Sequence, residues 1–99
     1  KIIVINNREG NIFRLIETGS AIQGAMDYFT TPHDVNIQSL VKAFGLHFFS
    51  ARSKTSLAEV LPDFLKPKDK PSVLEIQTSA RVSAEVFKNY YKYINDNIT

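Results

Sequence analysis

The chain opens with the stretch KIIVINNREGNIF, residues 1–13, which joins a run of β-favouring residues to a turn. The apolar run from Ile2 to Ile5 is uninterrupted, which predicts a strand buried on both faces, as in a parallel sheet. Two asparagines and Arg-Glu-Gly follow, and Asn and Gly tolerate the positive φ angles of a sharp turn. Ligands bind at the carboxyl ends of strands in open α/β sheets, and amide oxygens suit Mg²⁺ or Ca²⁺. The stretch therefore indicates either a cation-binding turn or a plain Asn-rich turn.

The order strand-Asn-Asn-x-x-Gly-x-Ile-Phe resembles the end of the diphosphate-binding motif of thiamine diphosphate enzymes. That motif begins with Gly-Asp-Gly or a close variant and closes with Asn-Asn after a strand. The Ile12-Phe13 pair after Gly10 narrows the resemblance to the 2-succinyl-5-enolpyruvyl-6-hydroxy-3-cyclohexene-1-carboxylate synthases of menaquinone biosynthesis (the MenD family). Two later patterns fit the same family and extend the resemblance to about Gln77; they are Phe29-x-x-Pro32-His33-x-Val35 and Val41-x-x-Phe44-Gly45-Leu46.

Composition is that of an ordinary globular domain. The chain has 99 residues, 43% hydrophobic and 22% charged, with a net charge of +2 and no cysteine. These values argue against a disordered chain, a disulfide framework and a thiolate zinc site. No apolar run approaches the roughly 20 residues of a membrane span, and the basic segment Lys66–Pro71 is typical of a solvated loop rather than a nucleic-acid patch. A cytoplasmic protein is the expectation.

Apolar spacing and turn signals predict an α/β fold with the element order β-α-loop-α-β-α-β-α. This alternation with tight links predicts a three-stranded parallel sheet with flanking helices. The resemblance implies the second half of a thiamine diphosphate-binding (pyrophosphate) domain, with the third strand between the first two. Residues 1–99 would form a single partial domain, a C-terminal fragment of a longer protein. Beyond the first strand, the predicted segments are a helix over 11–17, a loop over 18–32, a helix to residue 44, a strand over 46–51, a helix from 56, a strand over 72–77 and a helix over 81–94.

Several residues carry local predictions. Asp34 is the expected N-cap of its helix, and Ser56 with Glu59 forms a predicted capping box that opens the next one. Pro62 lies inside that helix and predicts a kink or a 3₁₀ tightening. Glu75 is expected near one face or the edge of the sheet, and His47 is expected to be a half-exposed strand residue rather than a metal ligand.

The resemblance also implies the cofactor-binding residues. In the family, an Asp of the opening Gly-Asp motif, an Asn side chain and a backbone carbonyl hold the metal ion. By residue matching, Asn7 is the side-chain ligand and Glu9 offers its carbonyl, although many relatives have Gly in place of Glu9. The family pair matching Ile12 and Phe13 contacts the cofactor and the substrate pocket, whereas the residues alone are equally compatible with core packing. Asn6 is expected to brace the turn.

The implied activity belongs to the full-length protein. With thiamine diphosphate and Mg²⁺ or Mn²⁺, it would decarboxylate 2-oxoglutarate and add the succinyl semialdehyde unit to isochorismate. No catalytic residue is expected within residues 1–99, because the Gly-Asp motif and the cofactor-activating glutamate are absent, so the chain alone is expected to be inactive. Two alternatives remain: another thiamine diphosphate decarboxylase or acetolactate-type synthase, and a non-catalytic α/β interaction module.

The first strand also carries a prediction about assembly. Without flanking strands, residues 1–6 would form a sheet edge that is apolar and lacks the charges, bulges or prolines that protect natural edges. Such an edge favours association, so a homo-oligomer is expected.

Overall fold

The computed structural model describes residues 1–15 and 25–98. Tertiary contacts divide them into two compact units. The first, the sheet unit, comprises Lys1–Asn6 and Asp34–Thr78, and the described residues of the second, the helical unit, are 7–15, 25–33 and 79–98. The elements in chain order are β1 (Ile2–Asn6), α1 (Ile12–Leu15), α2 (Ala25–Thr30), α3 (Ile37–Ala43), β2 (His47–Ala51), α4 (Lys54–Leu65), β3 (Ser72–Gln77) and α5 (Ala80–Asn97).

The sheet unit contains three parallel strands in the order β1-β3-β2. Ile3 of β1 and Phe49 of β2 both pair with Leu74 of β3, which fixes the register on either side of the central strand. The predicted α/β class, the parallel sheet and the central position of the third strand are all confirmed.

The core of the sheet unit forms where α4 covers the sheet. Phe64, Leu74 and Ala51 are at most 2% exposed. The apolar residues of α4 recur at helical spacing, which turns Leu57, Val60 and Leu61 towards this cluster. The Phe64 ring meets Phe49 edge-on, with 5.8 Å between ring centroids. The buried contacts that stabilise the sheet therefore centre on β3 and α4.

The prediction that β1 is buried on both faces is wrong for this chain. Ile2, Ile3 and Ile5 are 48%, 57% and 60% exposed, because β1 pairs on one side only and lies at the edge of the sheet. The most buried strand is β3, whose run from Ser72 to Glu75 is buried without a break. The apolar run of β1 thus indicated a strand correctly, and the position of β1 agrees with the sheet edge predicted for residues 1–6.

Glu75 corrects a second expectation, since it lies in the central strand and is 5% exposed. Its carboxylate accepts hydrogen bonds from Asn6 Nδ2 at 2.7 Å and from Gln77 Nε2 at 3.2 Å. Burial of a carboxylate requires such partners. Glu75 therefore ties the end of β1 to β3 by a side-chain bond as well as by the backbone ladder.

Both predicted helix N-caps are displaced along the chain. Asn36, not Asp34, caps α3, and its Oδ1 accepts the Ser39 N–H at 2.9 Å. Ser53 caps α4 in a capping box with Ser56, which replaces the predicted box of Ser56 with Glu59. Short polar residues cluster at both sites, so propensity alone did not select the right one.

The remaining boundaries agree in part. Gly45 follows α3 with φ of +69°, as predicted for a helix stop. α4 continues past Pro62, and the Lys66 N–H bonds Asp63 C=O in the 3₁₀ manner at 3.2 Å. The predicted loop over 18–32 is partly wrong, because Ala25–Thr30 forms α2; residues 18–24, like 16 and 17 of the first predicted helix, lie outside the described residues.

The capping box of α4 gives a test of the helix start. Ser53→Ala is expected to lower the free energy of unfolding by about 1 kcal/mol, because Ser53 Oγ accepts the Ser56 N–H at 3.1 Å. Glu59→Ala is the matched control, since Glu59 is exposed and should change stability by less than about 0.5 kcal/mol. Urea unfolding followed by circular dichroism measures both. A larger loss of unfolding free energy in Glu59→Ala than in Ser53→Ala would support the capping box of Ser56 with Glu59 that the sequence predicted.

Candidate functional site

The residues that directly follow β1 form a tight turn from Asn7 to Gly10. Asn7 Oδ1 accepts the Glu9 N–H at 3.1 Å, so the Asn side chain closes the turn on its own backbone. Arg8 adopts φ of +64°, a left-handed conformation that few residues other than glycine take up. The Asn7 side-chain bond and the left-handed Arg8 backbone together fix the shape of the turn.

Two backbone bonds anchor this turn within the helical unit. The His33 N–H donates to Arg8 C=O at 2.9 Å, and the Gly10 N–H donates to Thr30 C=O at 2.6 Å. Thr30, at the end of α2, is fully buried. The end of α2 and His33, three residues beyond it, therefore hold the turn at two points.

The two asparagines have different surroundings. Asn6 is 6% exposed, bonds Glu75 through its side chain and accepts the Thr78 N–H at its carbonyl, at 3.0 Å. Asn7 is only partly buried, and its bond to Glu9 uses one of the two lone pairs of Oδ1. Asn6 thus joins the end of β1 to β3 and to the residue that follows β3, whereas Asn7 keeps acceptor capacity for a ligand.

Glu9 forms an ion pair that sequence analysis did not find. Its carboxylate accepts bonds from Arg14 Nε and from Arg14 Nη2, the second at 3.1 Å. The hydrogen bond to Glu9 and the charge of Glu9 raise the pKa of Arg14. The pair is five residues apart, which matches no helical or strand period, so no regular pattern signalled it.

The two apolar candidates lie at the start of α1, immediately beyond the turn. Ile12 is 63% exposed, and Phe13 follows it in the same helix, with its side chain outside the described part of the molecule. An exposed isoleucine next to an ordered turn offers an apolar contact to a bound group. Core packing, the alternative for Ile12, does not hold in this chain.

The turn offers two neutral oxygens, which are fewer than a cation site needs. Asn7 Oδ1 and the Glu9 carbonyl are neutral oxygens of the kind that Mg²⁺ accepts, but Mg²⁺ requires near-octahedral coordination. Within residues 1–15 and 25–98, no group of three or more His, Cys, Asp or Glu residues is placed to hold a metal ion. The two oxygens would fit the neutral share of a coordination sphere, and the remaining ligands would have to come from elsewhere.

His47 is not part of this site. It begins β2 in the sheet unit, and its Nε2 lies 2.8 Å from Asp69 Oδ1. The hydrogen bond from His47 lowers the pKa of Asp69. The histidine therefore pairs with a loop carboxylate, in agreement with the structural role predicted for it.

Comparisons with known proteins find relatives in the family that the sequence resembles. No protein-family model matches the chain. The 2-succinyl-5-enolpyruvyl-6-hydroxy-3-cyclohexene-1-carboxylate synthase of Porphyromonas gingivalis is 33% identical over 96% of the chain, and that of Renibacterium salmoninarum is 39% identical over 79%. Protein PHYLLO, chloroplastic, of Arabidopsis thaliana is 30% identical over 93% of the chain.

These matches cover most of this chain but little of the relatives. The chain spans 16% of the Porphyromonas protein, 15% of the Renibacterium protein and 5% of the Arabidopsis protein. In the described residues, no helix is long and apolar enough to cross a membrane. Over the residues it matches, the chain belongs to the 2-succinyl-5-enolpyruvyl-6-hydroxy-3-cyclohexene-1-carboxylate synthase family.

Proposed function

We propose that residues 1–99 are the C-terminal part of the pyrophosphate-binding domain of a thiamine diphosphate-dependent synthase of menaquinone biosynthesis. The observation that carries the proposal is the ordered turn after β1, in which Asn7 Oδ1 closes on the Glu9 N–H at 3.1 Å. The relatives that match nearly the whole length of this chain are named as that synthase, which also supports the proposal. Residues 1–99 would then form one partial domain of a longer cytoplasmic enzyme.

In the proposed site, Asn7 and Glu9 share one divalent cation, Mg²⁺ or Mn²⁺. Asn7 would bind it through Oδ1 and Glu9 through its backbone carbonyl, two neutral ligands that leave the negative charge of the site to the diphosphate and to a carboxylate elsewhere. Neutral ligands at these two positions avoid placing excess negative charge around a small octahedral ion. The defined shape of the turn, with Arg8 at φ of +64°, supports this role because it presets both oxygens.

Ile12 and Phe13 would bind the apolar parts of cofactor and substrate. The 63% exposure of Ile12 supports an apolar contact that residues 1–15 and 25–98 do not complete. When bound, thiamine diphosphate would supply the chemistry that decarboxylates a 2-oxo acid. None of the residues described here has a catalytic role in this proposal; they bind the cofactor and orient it.

The proposed substrates are 2-oxoglutarate as donor and isochorismate as acceptor. The test uses the full-length protein with thiamine diphosphate and Mg²⁺, and follows carbon dioxide released from carboxyl-labelled 2-oxoglutarate with and without isochorismate. We expect fast release only when isochorismate is present, and no release by the chain alone. Turnover of pyruvate instead would favour an acetolactate-type synthase, and absence of any turnover or cofactor binding would favour a non-catalytic interaction module.

Self-association is a further part of the proposal. The exposed Ile2, Ile3 and Ile5 of the edge strand β1 support a homo-oligomer, since exposed apolar edges promote pairing between chains. Light scattering of the chain over a dilution series should show a mass that rises with concentration. Replacing Ile3 by lysine should reduce that rise, because a charge on an edge strand opposes association. A constant monomeric mass at high concentration would refute self-association.

A further inference from the structure

The ion pair of Glu9 with Arg14 links the turn to α1. Both carboxylate oxygens are engaged, one by Arg14 Nε and the other by Arg14 Nη2. Solvent has little access to it, since the Glu9 side chain is 9% exposed and the Arg14 side chain 28%. A guanidinium that meets a carboxylate with two donors fixes the orientation of both groups. Glu9 is therefore held at its amide by Asn7 and at its carboxylate by Arg14.

This double hold matters because Glu9 carries two kinds of oxygen ligand. The proposed function uses its neutral backbone carbonyl, yet a free carboxylate is the stronger ligand for a hard cation. A carboxylate released at this position would compete with the Glu9 carbonyl for the ion or distort the turn. In the structure, Arg14 donates to both carboxylate oxygens, and its positive charge opposes the approach of a cation to them, which favours the carbonyl as the ligand.

We infer that Arg14 is a positioning residue, which holds the Glu9 carboxylate away from the cation and thereby makes Glu9 a carbonyl ligand. The inference rests on the proposed function, and it extends the site to a residue that touches neither metal nor cofactor. It also explains how this chain carries a glutamate in a turn where a side chain with a free charge would disturb the ligand set.

The first arm of the test needs no metal and no cofactor. The Gly10 N–H, which bonds Thr30 C=O at 2.6 Å, adjoins Glu9 and reports the state of the turn through its hydrogen exchange. In the chain alone, Arg14→Met should reduce the protection of this amide at least about tenfold, because it leaves a nearly buried carboxylate unpaired. Adding Glu9→Gln should recover most of the loss, since the neutral amide carries no charge to leave unpaired.

Arg14→Lys is the second variant in this arm and keeps the charge while removing the two-donor geometry. It should fall between the native chain and Arg14→Met, and it keeps the test decisive if Arg14→Met does not fold. Unchanged Gly10 exchange in both variants would overturn the inference. So would a double variant no better protected than Arg14→Met.

The second arm measures the Mg²⁺ concentration at which the full-length protein retains half of its thiamine diphosphate. Arg14→Met should raise this Mg²⁺ concentration about tenfold, because losing a residue that orients a metal ligand weakens metal affinity. Adding Glu9→Gln should move it back towards the native value. Normal Mg²⁺ dependence in Arg14→Met would overturn the inference alone, whereas absence of binding in the native protein would overturn the proposed function and the inference together.

Discussion

Truncation of Phe64 to alanine is expected to lower the free energy of unfolding of the sheet unit by about 3–5 kcal/mol. Phe64 is 1% exposed, packs in one cluster with Ala51 and Leu74, and meets the Phe49 ring edge-on. Its removal takes away the largest apolar side chain of that cluster and leaves a cavity that the rigid sheet cannot close. Since small domains are stable by only about 5–15 kcal/mol, a large fraction of the stability would be lost.

Urea unfolding followed by circular dichroism measures this change. The four tyrosines (Tyr28, Tyr90, Tyr91 and Tyr93) all belong to the helical unit, so their fluorescence follows that unit separately. Phe44→Ala is the matched control, because Phe44 is 73% exposed and should cost less than about 0.5 kcal/mol. Equal losses in the two variants would show that the cluster around Phe64 is not the stabilising core.

In the full-length synthase, Asn7→Ala should weaken retention of Mg²⁺ and thiamine diphosphate at least about tenfold. The change removes a proposed metal ligand and also the acceptor of the Glu9 N–H, a bond of 3.1 Å that closes the turn. Activity should therefore fall steeply at limiting Mg²⁺ and recover in part when Mg²⁺ and cofactor are in large excess.

Calorimetric titration of Mg²⁺ in the presence of thiamine diphosphate measures the loss. Asn89→Ala is the control for the same change of side chain, since Asn89 is exposed on α5. This variant should bind Mg²⁺ with the affinity of the native protein. An Asn7→Ala variant with native affinity would show that Asn7 closes the turn without binding the metal ion.

Much of the fold could be predicted because its signals are local. The spacing of apolar residues in α4, the β-favouring run of β3 and the glycine after α3 each indicate an element from a few neighbouring residues. The alternation of these elements then leads to a parallel sheet. The turn after β1 was predicted for the same reason, because Asn and Gly specify turns through their own backbone preferences.

What escaped prediction depends on side-chain partners that no periodic pattern indicates. The burial of Glu75 depends on its hydrogen bonds with Asn6 and Gln77, which the strand pattern does not reveal. Arg14 was missed because its pairing with Glu9 follows no regular period. The resemblance to a family also did not indicate Arg14, because none of the motifs that carry it includes that residue.

The claim that Asn7 and the Glu9 carbonyl bind the divalent cation is tested most directly by anomalous scattering from Mn²⁺ in crystals of the full-length protein with thiamine diphosphate. We expect a Mn²⁺ peak within about 2.3 Å of both Asn7 Oδ1 and the Glu9 carbonyl oxygen, with the Glu9 carboxylate still on Arg14. A Mn²⁺ peak distant from both oxygens, with Asn7 Oδ1 bonded only to the Glu9 N–H, would contradict the proposed site.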